Sequence, residues 1–275
     1  MQLLGHKLGW TATFGIVVVA INLCLMLFAP WIAPHGQNQI VADAWLTPNS
    51  QQWLGTDDLG RDMLTRLIFG ARMSIGLALS ATLLCFALGV STGFTAAIAG
   101  GWVDTLLSRL VDLLLSMPLL IFAFMILSVM GTAIPVLILT VGILNSAIVY
   151  RLARSVAMGI VVQDYVEAAR LRGEGLGWIM LREILPNAAP PLLAEFGLRF
   201  CFTFLLIAAL SFLGLGVQPP NADWGSMVKD LSGMISLGSS APFYPAGAIA
   251  LLTIGVNFIV DWLLSIQSRG HGEGA

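Results

Sequence analysis

Residues 112–151 read DLLLSMPLLIFAFMILSVMGTAIPVLILTVGILNSAIVYR. No charged residue stands between Asp112 and Arg151, and Gly131-Thr132-Ala133-Ile134-Pro135 breaks the run near its middle. A helix that crosses the hydrocarbon of a bilayer needs about 20 apolar residues. This stretch therefore holds two crossings joined by a tight Gly/Pro turn. In lipid every peptide group must find its partner within the segment, and that selects helices.

Working outward, the same test finds charge-free gaps between Lys7 and Asp43, Arg72 and Asp104, Arg199 and Asp223, and Asp230 and Asp261. One crossing fits in each. The spacing predicts an all-α, polytopic membrane protein with spans near 10–31, 74–99, 112–130, 135–153, 192–213 and 243–266. Composition agrees, with 10% charged and 57% hydrophobic residues. A soluble domain carries about 25% charge, which it uses to cover its outside. The net charge of −2 comes with no basic tract, so nucleic acid is not a partner.

The apolar run from Trp10 to Ala33 is longer than a signal-peptide core and lacks a small-residue cleavage site, so it reads as a retained anchor. Cys24, Cys85 and Cys201 all fall inside spans and match no metal or redox spacing, which leaves them as packing residues. Lys and Arg set the orientation. One face would hold Lys7, Arg109, Arg154, Arg170, Arg172, Arg182 and Arg269, with Arg151 and Arg199 at its border. The other would hold Arg61, Arg66, Arg72 and Lys229, the three arginines having Asp57, Asp58 and Asp62 beside them. The bias puts both termini in the cytoplasm. The expected organisation is a cytoplasmic N-terminus with the first span (1–33), an external segment (34–72), a five-helix core (73–267) containing an inward loop (154–191), and a cytoplasmic tail (268–275).

Ion-driven transporters usually carry ionisable groups at membrane depth. Here Asp112, Glu195 and Asp261 all read as lying near the cytoplasmic ends of spans, which leaves the span centres free of charge. His6, His35 and His271 lie outside the spans and far apart, and no nucleophile–base pair or H-E-x-x-H pattern occurs. An intramembrane enzyme is therefore not expected, and no metal site is read. The two lysines, Lys7 and Lys229, follow no phosphate-binding glycine loop, so ATP is not bound in that manner. An ion-coupled transporter or channel and a scaffold subunit that moves nothing both remain open on these grounds.

Residues 164–186 stand out as a mechanical element. Asp164 is suited to cap a short helix and Gly173 to end it in a left-handed turn. A second short helix then runs to Pro186. Small Ala168 and Ala169 would admit a close neighbour, with Glu167, Arg170 and Arg172 supplying charge. An amphipathic connector lying on the headgroups fits the same residues.

Glu167-Ala168-Ala169, Gly173 and Ile184-Leu185-Pro186 resemble the "EAA" signature of importer permeases of the ATP-binding cassette class. Three further segments resemble the "C"-type permease of the dipeptide/oligopeptide/nickel branch. They are Leu54-Gly-Thr-Asp-Asp-Leu-Gly-Arg-Asp62 with Arg66 and Gly70-Ala-Arg-Met-Ser74, Arg109-Leu-Val-Asp112 through Pro118, and Ser211-Phe-Leu-Gly-Leu-Gly-Val-Gln-Pro-Pro220 with Trp224-Gly225. The likeness covers roughly residues 10–260. The end of the chain departs from the family pattern. Asn257 and Asp261 remain, but Val260 replaces a glycine, Leu263-Leu264-Ser265 follows, and the Asp-Pro-Arg ending is missing.

The resemblance implies a translocating subunit in the bacterial inner membrane that passes short peptides or a related small solute. Its implied partners are a homologous second permease, two cytoplasmic ATPase subunits that bind ATP and Mg, an external substrate-binding protein and the lipid bilayer. It assigns an ATPase-coupling role to Asp164, Glu167, Ala168, Ala169, Gly173, Ile184, Leu185 and Pro186. Gly214, Gly216, Pro219, Pro220 and Trp224 would either fold backbone into an external mouth or form an ordinary exit turn. Asp57, Asp58, Gly60, Arg61 and Asp62 would either touch the binding protein or anchor the external segment through internal ion pairs, and anchoring is the expectation.

Overall fold

The structure is a computed structural model that describes residues 2–3, 6–7 and 9–272, with side chains from 9 to 266. The side chains of His6, Lys7, Arg269 and His271, and the last residues of the tail, lie outside the described residues. A two-residue antiparallel pair, β1 (Gln2–Leu3) with β2 (His6–Lys7), precedes the helices. α1 (Trp10–Ile32) then crosses, and α2 (Met63–Ala99) returns. α3 (Gly101–Leu115) and α4 (Leu119–Met130) follow, then α5 (Ile134–Val161) and the short α6 (Asp164–Leu171). α7 (Leu176–Ile179) continues through a π-helical turn, Met180–Ile184, into α8 (Leu185–Phe212). α9 (Trp224–Leu231), a 3₁₀ segment (Ser232–Leu237) and α10 (Phe243–Gly272) complete the chain. Among the described residues, five helices are long and apolar enough to cross a membrane, with a sixth span if the bent α3–α4 pair counts as one.

Three expectations need correction. The second span starts at Met63, eleven residues before the expected 74, because Asp62 caps it: its Oδ2 accepts from Thr65 N at 2.8 Å and Thr65 Oγ1 at 2.6 Å. Arg66 is tolerated inside the helix because Asp57 lies 3.3 Å away. The third crossing is not one helix, since α3 and α4 meet at 85°. The break falls at Ser116-Met117-Pro118, where the residue before a proline is driven out of the α region. α4 alone, with 12 residues, reaches only about 18 Å and falls short of the hydrocarbon thickness. Finally, no helix stops at Pro186. Leu185 N reaches back to Met180 O, and this wider π turn absorbs the proline that follows.

The tightest seam joins α2 to α5. Gly89-Val-Ser-Thr-Gly93 is a small-xxx-small stripe on α2. A Cβ on Gly89 would stand 2.6 Å from Val149 Cβ, and one on Gly93 would stand 2.8 Å from the Tyr150 carbonyl. From α5, a Cβ on Gly142 would meet Leu84 Cδ2 at 2.8 Å. Around this seam lies the main core, with Ala71, Ile75, Ala78, Ala81, Leu137, Val141, Phe204, Leu210 and Trp224 buried together. α1 and α10 pack on its outside and cross closely at Gly15 and Gly255. Their remaining surface is apolar and open, with Val17, Ile21, Leu27 and Leu251 all at least half exposed, as hydrocarbon contact requires.

α2 fixes two ends of the bundle. Its start packs against Trp224 of α9, and its end packs against α6 through Ile98, Val166 and Ala169. The segment before α2 and the α9 region therefore lie at one end, and α6 and α7 lie at the other.

Candidate functional site

At the α6 end, one face of α6 is turned inward. Val166 and Ala169 are fully buried against Phe94 and Ile98 of α2, Ala153 and Ala157 of α5, and Ile179, Ile184 and Ala188 of the helix that follows. The opposite face presents Tyr165, Glu167, Ala168 and Leu171, the last 83% exposed. Of the two small residues, only Ala168 is open to a neighbour. Asp164 does not cap the helix: the N-cap is Gln163, and Asp164 with Glu167 sits in the first turn, where acidic charge suits the helix dipole. Gly173 adopts φ +82°. Glu174 N bonds Ala169 O at 3.2 Å and Gly173 N bonds Arg170 O at 2.9 Å, so the helix closes in a Schellman motif.

Further along, Arg172 lies 5.8 Å above the Trp178 ring and within 4.0 Å of both Glu174 and Glu183. Ile184 is buried, while Leu185 and Pro186 are exposed. Val162, Leu171, Leu176 and Leu181 are all more than half exposed. Apolar side chains left open in such number suit contact with another protein or with the membrane surface. α3 is pinned beside it: Arg154 Nη2 donates to Asp104 at 2.6 Å, Arg151 Nη2 to Asp112 at 2.8 Å, and Ser108 shares a 2.9 Å bond with Tyr150.

At the α9 end, α8 also closes in a Schellman motif at Gly214, φ +88°, with Leu215 N on Leu210 O at 2.8 Å and Gly214 N on Ser211 O at 3.0 Å. Gly216 is buried so tightly over Ser211 that no side chain fits there, whereas Pro219 and Pro220 are exposed. Trp224 is 1% exposed. Its backbone N donates to Ser74 Oγ and its Nε1 donates to Leu67 O, both at 2.9 Å, and its ring meets Phe204 edge-on. Gly70 leaves the slot for that ring, since a Cβ there would stand 2.7 Å from Trp224 Cδ1.

Asp223 caps α9, accepting from Gly225 N at 3.0 Å and Ser226 N at 3.3 Å, while its other oxygen is buried with no hydrogen-bond partner among the described residues. Burial pushes its pKa up, and the bonds from Ser226 and Gly225 offset this in part. The folded protein thus keeps the proton to higher pH than the unfolded chain does. Stability falls as pH rises from the ordinary carboxylate range through the raised value. Asp223→Asn retains a capping side chain and is expected to remove that contribution. Thermal unfolding in detergent at pH 5 and pH 8 should then differ less than in the unsubstituted protein, which melts lower at pH 8, and burial of Asp230, whose pKa is also pushed up, leaves a residual slope of the same sign.

The Asp57–Asp62 turn is folded in on itself. Asp57 Oδ1 accepts from Leu59 N and Arg61 N at 2.9 Å, and Oδ2 takes Arg61 Nε at 2.6 Å and Arg66 Nε at 3.3 Å. Asp57, Arg61 and Asp62 are buried, while Asp58 and Leu59 are open. Gly60, at φ +75°, has the Ala42 carbonyl where a Cβ would go.

Sequence reasoning missed one charged site. Glu195 and Arg199 sit at the middle of α8, bonded to each other at 2.6 Å and 3.0 Å, so they form a pair within one long helix and not two separate charges at its start. The pair looked peripheral because the span was expected to begin at 192, whereas the helix runs unbroken from Leu176. Its i,i+4 spacing of opposite charges was the available signal.

Comparison with known proteins agrees with this architecture. A solved chain titled "Crystal structure of an amino acid ABC transporter with histidines" shares the fold, at TM-score 0.54 and 21% identity over 75% of this chain and 94% of that one. The dipeptide transport system permease DppC of Alkalihalophilus pseudofirmus is 32% identical, covering 95% of this chain and 86% of the relative. The probable D,D-dipeptide transport system permease DdpC of Escherichia coli is 31% identical over 98% and 92%. The nickel transport system permease NikC of the same organism is 31% identical over 92% of each. Residues 86–271 match the family described as binding-protein-dependent transport system inner membrane component. The chain belongs to that family, as a multi-pass inner membrane permease subunit of the dipeptide/oligopeptide/nickel branch of ATP-binding cassette importers, a transport component and not an enzyme.

Proposed function

We propose that this chain is one half of a heterodimeric permease that imports short peptides, with α6 as the element that receives force from a cytoplasmic ATPase. The supporting observation is the two-sidedness of α6. Val166 and Ala169 are packed into α2, α5 and the α7–α8 helix, while Glu167, Ala168 and Leu171 stand free. A push on the outer face passes directly to three long helices. Asp164 favours the short helix through its dipole, Gly173 turns the chain back, Ile184 backs the arm from within, and Leu185 and Pro186 lie on its exposed side. ATP and Mg bind in two ATPase subunits, and a homologous permease completes the path.

Both termini face the cytoplasm in this reading, as the arginines at 109, 154, 170, 172 and 182 favour. Of the cations at the opposite end, Arg61 and Arg66 are buried on Asp57. The external segment begins at residue 34 and is held by the Asp57, Gly60, Arg61 and Asp62 turn, which leaves Asp58 to meet a substrate-binding protein. Gly214, Gly216, Pro219 and Pro220 form the rim of the external mouth, and Trp224 supports it from beneath. Relatives named for dipeptide and D,D-dipeptide transport that align with nearly the whole chain support peptides as the solute.

Glu167→Lys reverses a charge that makes no ion pair among the described residues, so the fold is expected to tolerate it. Binding-protein-dependent uptake into proteoliposomes should fall about tenfold or more, as a like charge placed in an interface does. The amount of inserted protein should stay unchanged. Undiminished uptake would remove α6 from the coupling role.

A further inference from the structure

Charge is scarce in the helices that cross the bundle, which isolates one pair. Glu195 and Arg199 stand one turn apart on α8, and Glu195 lies 17 residues before Phe212. That distance is about 25 Å of helix, and Arg199 is one turn nearer the end. Glu195 Oε1 accepts from Arg199 Nε at 3.0 Å and from Nη2 at 2.6 Å. Both bonds use one carboxylate oxygen. Glu195 Oε2 and Arg199 Nη1 take no hydrogen bond from the described residues. The two side chains are 16% and 11% exposed, so these spare groups reach a surface. Beside them the Arg199 guanidinium lies 5.3 Å from the ring of Phe202, itself 59% exposed.

Hydrocarbon cannot satisfy those spare groups. Charged side chains at membrane depth face other protein or a water-filled cavity. The side of α8 that carries Glu195, Arg199 and Phe202 is therefore turned toward a partner subunit or a water-filled path and not toward lipid tails. It offers one donor of positive charge and one acceptor of negative charge, side by side, next to an aromatic face. A solute bearing both an ammonium and a carboxylate is complementary to it.

We propose that Glu195 and Arg199 form a subsite on the translocation path that meets the charged ends of a short zwitterionic peptide. Arg199 Nη1 donates to the carboxylate, and Glu195 Oε2 accepts from the ammonium. Their mutual bonds hold both groups in place while the peptide passes, and the pair carries no net charge that would trap it. The subsite rests on the peptide reading above.

The test uses the complete transporter in proteoliposomes with saturating dialanine, N-acetyl-dialanine or dialanine amide, comparing each variant with the unsubstituted complex. The binding protein is the same in every arm, so its preference cancels in that ratio. Glu195→Gln should lower uptake of dialanine and its amide about tenfold relative to N-acetyl-dialanine, since only the first two present an ammonium. Arg199→Gln should instead lower dialanine and N-acetyl-dialanine relative to the amide. Parallel loss of all three probes would mean that the pair only holds the fold or the partner permease, and would overturn the subsite. So would dialanine uptake that both variants leave unchanged. The reciprocal Glu195→Arg/Arg199→Glu variant keeps an ion pair for folding, and full uptake by it would also overturn the assigned orientation. Absence of dialanine uptake by the unsubstituted complex would instead defeat the peptide reading, and the subsite with it.

Discussion

Trp224→Ala is expected to destabilise the protein by about 3–5 kcal/mol, the cost of emptying a buried tryptophan site. Three kinds of contact are lost together. The ring leaves the slot over Gly70, the edge-on contact with Phe204 disappears, and the Leu67 carbonyl loses its indole donor. Because α9 is only eight residues long, it has little helical stability of its own, and Trp224 anchors it in the core together with Met227 and Leu231. Thermal unfolding in detergent measures the effect, and the amount of protein in the membrane should fall with it. Trp224→Phe keeps most of the ring and removes the donor, so its cost should be near that of one hydrogen bond, about 1 kcal/mol. An alanine variant that melts with the unsubstituted protein would show that α9 is held by something other than Trp224.

The second large effect is expected at the α2–α5 seam. Gly89→Val with Gly93→Val places side chains where Val149 Cβ, the Ser146 carbonyl, the Tyr150 carbonyl and Ala153 Cβ already stand within 3 Å of a Cβ. Each overpacked position alone costs about 1–3 kcal/mol. Two of these obstacles are backbone carbonyls and two are Cβ atoms fixed directly to the backbone, none of which can rotate aside, so the helices must separate. The sites lie one turn apart, and their costs are not independent. Loss of the folded protein is the expected result, read as aggregation in size-exclusion chromatography after extraction. Gly159→Ala, on α5 where a Cβ meets nothing within 4 Å, serves as the matched control and should behave normally. A soluble, monodisperse double variant would mean that the close crossing is not needed.

Much of the fold was legible in the chain because lipid asks a local question. A segment either holds enough uncharged residues to cross or it does not, and the gaps around 113–150 answered without any knowledge of neighbours. The errors came where a neighbour changed the local rule. Arg66 and Arg72 read as the end of a polar segment, yet α2 starts before them, since Asp57 neutralises Arg66 from a turn folded over the helix start. Glu195 and Arg199 read as border charges, yet each hides the other inside α8. Pro186 read as a stop, yet a π turn carries the helix through. At the α6 end, the left-handed turn at Gly173 could be anticipated from the residue itself. The inward turn of Ala169 could not, because it depends on Phe94 and Ala153, which lie far away in sequence.

By itself, the sequence determined that the protein lives in lipid and roughly where it crosses, because charge spacing, glycine and proline act on their immediate surroundings. Only the tertiary structure decided which face of each helix is closed, how α2 locks to α5, where Trp224 seats and which charges find each other. Those outcomes depend on distances between residues far apart in the chain, and a linear pattern carries no measure of such distances.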